Sequence, residues 1–95
     1  MRTPNTLEEK AEVLKALAHP ARLCIVKGLL DRGTSNVTYM QQCMNLPQST
    51  ISQHIARLRS SGIIHGTRKG LEIQYEVIDQ VAINIVNAIF EENEE

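Results

Sequence analysis

Within the segment Gln48–Ser60, one helical face at 100° per residue would carry Ser49, Gln53, Ala56, Arg57 and Ser60, and the opposite face Ile51, Ile55 and Leu58. The first set is hydroxyl, primary amide and guanidinium around a small alanine, the groups that hydrogen-bond to base edges and phosphates at close range. A glutamine amide can pair bidentately with adenine, and an arginine fork with guanine or phosphate. Gln48, Ser49 and Thr50 stand at the helix start, where free N–H groups favour phosphate oxygens. Arg68 and Lys69, twenty residues on from Gln48 and Ser49, add two neighbouring cations at a predicted hairpin tip. They have the reach for an adjacent minor groove or backbone. The plain alternative is a helical hairpin with a polar outer face.

The elements that must position these residues follow from period and punctuation. Thr6 and Glu9 form a capping box, and Leu7, Ala11, Leu14 and Leu17 then keep helical spacing over 7–18. Residues 1–5 read as a loose arm. His19-Pro20 ends this helix and starts another, because the residue before proline leaves the helical region and proline suits a first helical turn. Leu23, Val26, Leu29 and Leu30 give the second helix its stripe, and 31–36 reads as a loop. Val37, Met40 and Met44 mark a third helix, joined through Leu46-Pro47 to the segment ending at Ser60. The pair spans 37–60.

After Gly62 the period changes from 3.6 to 2. Leu71, Ile73, Tyr75 and Val77 alternate with Glu72, Gln74 and Glu76, which predicts a half-buried strand. Ile63 to Thr67 is its expected partner, turning through Arg68-Lys69-Gly70, so 63–77 forms a basic hairpin. Asp79 is placed to cap a last helix over 80–91. That helix is apolar nearly all round, interrupted only by Asn84 and Asn87. A chain of 95 residues has no interior large enough to enclose it, so a second subunit is the economical cover. Leu7, Leu14, Val81, Ile85 and Ile89 are the expected contacts between two copies.

The net charge of −1 conceals a segregation. No acidic residue lies between Asp31 and Glu72, whereas that window holds Arg32, Arg57, Arg59, Arg68 and Lys69. One face therefore suits an anionic partner. With 3% aromatic residues there are too few rings for a platform that stacks single-stranded bases. No apolar run approaches the ~20 residues of a membrane span, and MRTPNTLEEK has no signal-peptide core, so a cytoplasmic location is expected. There is no Gly-rich phosphate loop, no HExxH and no supported nucleophile–base arrangement, and no enzymatic activity or cofactor is expected.

Two short helices with a tight turn, followed by a basic hairpin, describe a winged helix-turn-helix. The fold expected over 1–95 is mainly α with a β-hairpin, in the order α-α-α-α-β-β-α. A helix of ~10–12 Å fits the ~12 Å major groove of B-DNA. The sequence also resembles the ArsR/SmtB family of winged-helix repressors over about residues 7–90. The resemblance rests on LKALAHPARLCIV, LPQSTISQHIARLRSSGII and TRKGLEIQYEV, with the family's S-x-H-[LI] signature at Ser52-Gln53-His54-Ile55 and its R-x-G wing turn at Arg68-Lys69-Gly70. LPQST-x-SQH and GLEI are most similar to PagR-type members, which lack metal sites. The family implies a homodimer, built from first and last helices, that binds an imperfect inverted repeat in double-stranded DNA and blocks transcription. Gln48, Ser49, Thr50, Ser52, Gln53, His54, Arg57, Arg68 and Lys69 are the expected DNA contacts, with His54 balanced between a phosphate contact and a positioning role.

The family's metal-sensing positions carry no ligands here. Asn36 and Thr38 stand where it places a Cys-x-Cys pair, Asp79 has Val81 two positions on where the family has Asp-x-His, and 80–95 contains no histidine. Cys24 and Cys43 read first as thiols in a reducing compartment. A thiol switch joining them would clamp the second helix to the helix pair. A winged-helix module docking an acidic protein partner is the competing function.

Overall fold

The computed structural model describes residues 6–36, 40 and 45–91. Helix α1, Leu7–Leu17, starts where Thr6 turns extended and its hydroxyl accepts the Glu9 N–H at 3.1 Å. Such a cap contributes about 1 kcal/mol. Ala18 closes the helix, and His19 takes the extended backbone that a following proline demands. The Nδ1 of His19 accepts the Ala21 N–H at 3.0 Å, so an imidazole caps helix α2, Pro20–Arg32.

The segment before the hairpin is helix α3, Gln48–Ser60, capped by Pro47 without a side-chain hydrogen bond. Ile51, Ile55 and Leu58 are buried against a core that α1 and α2 build from Val13, Ala16, Leu17, Ile25, Val26 and Leu29. Of the predicted helix before it, Met40 is helical and buried, while Val37 and Met44 lie outside the described residues.

Strands β1, Ile64–Lys69, and β2, Glu72–Val77, pair antiparallel from Ile64↔Val77 to Lys69↔Glu72. The turn is Gly70-Leu71 rather than Arg68-Lys69-Gly70. Gly70 supplies the positive φ of 66° that lets a two-residue loop follow the strand twist. Arg68 and Lys69 consequently belong to β1. The alternation predicted for β2 buries only Tyr75, because the hairpin outruns the core: Ile73 is 38% exposed and Leu71 99%. Ser35, predicted as loop, forms a bridge with Tyr75, its N–H donating at 3.1 Å and its carbonyl accepting at 2.8 Å. The base of the hairpin is thus tied to the end of α2.

Helix α4, Gln80–Ile89, begins with the predicted Asp79 cap, whose carboxylate accepts the Ala82 N–H at 2.8 Å. It ends two residues before Glu91, with Phe90 as C-cap. Ala82 and Val86 are buried and Val81 and Ile85 pack partly on the core. Helix α4 lies against α1 and α2. The outer surfaces of α1 and α4 leave Leu7 85%, Leu14 55% and Ile89 56% exposed. None of the described helices is long and apolar enough to cross a membrane.

Candidate nucleic-acid interface

Helix α3 presents its two faces as the spacing predicts. Gln48, Ser49, Ser52, Gln53 and Ala56 are exposed and Thr50 is half-buried, while the opposite stripe is closed against the core. The exposed side chains are short or unbranched, so the helix backbone itself can approach a groove. The hairpin carries Arg68 and Lys69 at the far end of β1, both exposed, and the Arg68 guanidinium donates to the Gly70 carbonyl at 3.3 Å.

Arg57 is placed differently from its neighbours. Its Nη1 donates to the Glu12 carboxylate and, at 2.6 Å, to the Ser61 hydroxyl. Ser61 in turn donates to Glu12 at 3.0 Å. These bonds and the adjacent cation hold the Glu12 carboxyl below its ordinary value near 4.5. The side chain predicted to reach DNA therefore rests on α1 in this state, one-third exposed.

His54 is half-buried, and the structure sets it in a cluster that local spacing does not reveal. Arg22 on α2 donates to the Ala16 carbonyl at the end of α1 and from Nη1 to His54 Nδ1 at 3.3 Å. The rings of His19 and His54 lie 4.5 Å apart, tilted by 52°. Burial first, then His19 and Arg22, push the His54 pKa below 6.5. Neither Arg22 nor Glu12 has a local signal; each meets α3 across more than thirty residues of chain. Arg59 was legible as a member of the acid-free window. It is exposed and, with His65, Gly66 and Ile73, lines an open cleft between α3 and the hairpin.

Cys24, half-buried on α2, is disulfide-bonded, which corrects the expectation of a free thiol. Cys43 lies outside the described residues. Among the described residues no group of three His, Cys, Asp or Glu side chains is arranged to hold a metal ion.

No family model matches the chain. It is 46% identical over 72 residues to the transcriptional repressor PagR of Bacillus anthracis, an alignment covering 76% of this chain and 72% of that protein. The crystal structure of the same repressor superposes with a TM-score of 0.80 at 41% identity, covering 87% of this chain and 94% of that one. The chain belongs to the ArsR/SmtB family. A second relative is the biofilm growth-associated repressor of Xylella fastidiosa, 37% identical over 82 residues, which cover 86% of this chain and 71% of that protein. The homodimeric winged helix-turn-helix DNA-binding domain Mb0332 of Mycobacterium bovis, solved by NMR as a possible ArsR-family regulator, superposes with a TM-score of 0.77 at 25% identity. That superposition covers 87% of this chain and 76% of the domain. The winged helix-turn-helix, mainly helical with one hairpin, is the shared fold.

Proposed function

We propose that this chain is a homodimeric transcriptional repressor that reads an inverted repeat in double-stranded DNA. The observation that carries the reading is the division of α3. Ile51, Ile55 and Leu58 are closed into the core, while Ser49, Ser52, Gln53 and Ala56 stand exposed on the side away from it. Arg68 and Lys69 supply the cations of the hairpin for a second contact beside the groove. Gln48, Ser49 and Thr50 offer hydroxyl, amide and backbone N–H groups to phosphate, and Gln53 offers its amide to a base edge. PagR and the Xylella protein are described as repressors, and Mb0332 as a homodimer, which supports the same assembly here. Leu7, Leu14 and Ile89 on adjoining helices are the exposed apolar residues a second copy would cover, with Val81 and Ile85 at its edge. A two-fold dimer places its reading helices about one duplex turn apart, ~34–36 Å.

The disulfide at Cys24 supports a second layer, thiol regulation of DNA binding. The cysteine sits on the helix that also holds Arg22, next to α3, so its redox state bears on the packing beneath the reading face.

Selection of bound duplexes from a random pool at physiological salt, with and without reductant, tests both layers. Enrichment of an inverted repeat supports the repressor, and a difference between the two conditions supports the thiol layer. With no sequence enriched, the repressor reading falls and docking to an acidic protein partner takes its place.

A further inference from the structure

The apolar stripe of α3 holds the helix down without fixing how it is turned. Burial is non-directional, so the seat on Ile51, Ile55 and Leu58 leaves room for polar contacts to bias the helix angle. Directional groups are needed to set its angle, and half-buried polar contacts are suited to that task. Arg22 makes such a contact. Its guanidinium carries only donors, and it bonds two acceptors belonging to two other helices: the carbonyl of Ala16, one of the open carbonyls at the end of α1, and Nδ1 of His54 on α3.

The same bond decides where the His54 proton resides. An arginine cannot accept, so Nδ1 must, and the neutral ring carries its proton on Nε2. The neighbouring His19 is committed in the same sense, because its Nδ1 accepts the Ala21 N–H. Two imidazoles with rings 4.5 Å apart and one guanidinium thus form a fixed junction between the α1–α2 corner and the reading helix.

We propose that Arg22 is a positioning residue for DNA recognition, setting the angle of α3 by bridging the Ala16 carbonyl to Nδ1 of His54 and locking His54 as its Nε2–H tautomer. His54 then serves as the acceptor through which α3 is held, and not as a phosphate ligand. The inference rests on the repressor reading for its DNA arm and is independent of it for its spectroscopic arm.

The first arm is long-range ¹H–¹⁵N correlation of the imidazoles in the free protein. His54 shows a single tautomer protonated on Nε2, and Arg22→Gln turns it into a mixture. A proton on Nδ1 in the parent protein, or an unchanged tautomer in the variant, overturns the proposal. The second arm uses the selected duplex and a copy with its spacer changed by one base pair. Arg22→Gln lowers the ratio of the two affinities about tenfold, the scale of one good base contact. His54→Asn can place an amide oxygen near the position of Nδ1 and keeps the discrimination; His54→Gln places its donor near Nε2 and loses it. The reverse pattern assigns His54 to phosphate and overturns the proposal. If the parent protein selects no duplex, the repressor reading has failed, and the tautomer experiment still decides the junction.

Discussion

Arg57, on a helix whose exposed face is built for hydrogen bonding, gives its guanidinium to Glu12 of α1 and to Ser61. The pair joins the reading helix to a helix whose outer surface leaves Leu7 and Leu14 uncovered. An arginine in this position has two anionic choices, the carboxylate of its own chain and a phosphate of DNA. Because both partners are partly solvated, the internal pair is weak enough to be exchanged.

Removing the competitor should therefore strengthen binding. Glu12→Gln is expected to raise duplex affinity about two- to fivefold at moderate salt, the range of a partly exposed ion pair. Arg57→Ala should weaken binding and reduce the slope of log K against log salt by ~0.9, one phosphate contact. Fluorescence anisotropy over a salt series reads both. If Arg57→Ala leaves the slope unchanged, Arg57 stays on Glu12 in the complex.

Besides Gly70, whose backbone the turn requires, the hairpin depends on Gly66 for packing. A Cβ at Gly66 would lie 2.8 Å from Ile73 Cγ2 and 2.8 Å from Tyr75 Cε1, across the strand pair that carries Arg68 and Lys69. Gly66→Ala is expected to cost about 1–3 kcal/mol, as overpacking does, by urea denaturation. Since Tyr75 also anchors Ser35, loss of the Tyr75 amide protection in hydrogen exchange should accompany it.

The proposed dimer makes its own demand on Leu14. Leu14→Glu places a charge among the exposed apolar residues of α1 and α4, and it should shift the protein to monomer in sedimentation at micromolar concentration. The circular dichroism of the monomer should remain helical, because Leu14 is 55% exposed within one chain. Affinity for a full inverted repeat should then drop toward that for a half-site.

How far residue patterns carried the structure depends on the range of the interaction. The caps at Thr6 and Asp79, the break at His19-Pro20 and the stripe of α3 are local, and period and turn chemistry place them within a residue or two. The hairpin turn slipped by two residues: R-x-G looks like a turn, but Gly70 with Leu71 closes the tighter loop. The alternation in β2 predicted burial for Ile73, yet burial needs something opposite, and the hairpin projects past the core there. Glu12 and Arg22 fall on no periodic or capping pattern that points to α3, although Arg22 lies within the LKALAHPARLCIV stretch that carries the family resemblance. Each matters to α3 only through folding, so a reading of the site confined to its own helix finds Arg57 and His54 without the groups that hold them.

Reduction offers a separate handle. Cys24 is bonded in this state, on the helix that supplies Arg22. Adding dithiothreitol is expected to change the affinity for the selected duplex severalfold, and Cys24→Ser should show the reduced value with or without reductant. Equal affinities for the parent protein in both conditions would remove thiol regulation from the functional reading.

The His54 junction predicts a dependence of stability on pH with a definite sign. Burial and the facing groups His19 and Arg22 hold the folded His54 pKa below 6.5, so the unfolded chain binds this proton first as pH falls. Folding stability tied to His54 is therefore constant above 6.5, declines as pH drops from 6.5 toward the lowered folded value, and levels off below it. Denaturation midpoints at about pH 7.5 and 5.5 should separate in the parent protein, the lower pH being less stable. His54→Asn should reduce that separation, leaving whatever the other titrating groups contribute. Glu12 adds its loss at lower pH, since its carboxyl is held below 4.5 and the bond to Arg57 survives until protonation there. The two steps are distinguishable by variant, because Glu12→Gln removes the acid step and leaves the one near neutrality. A parent protein more stable at the lower pH in this window, with His54→Asn abolishing the gain, would mean that His54 is preferentially protonated in the fold and that Arg22 does not face its lone pair.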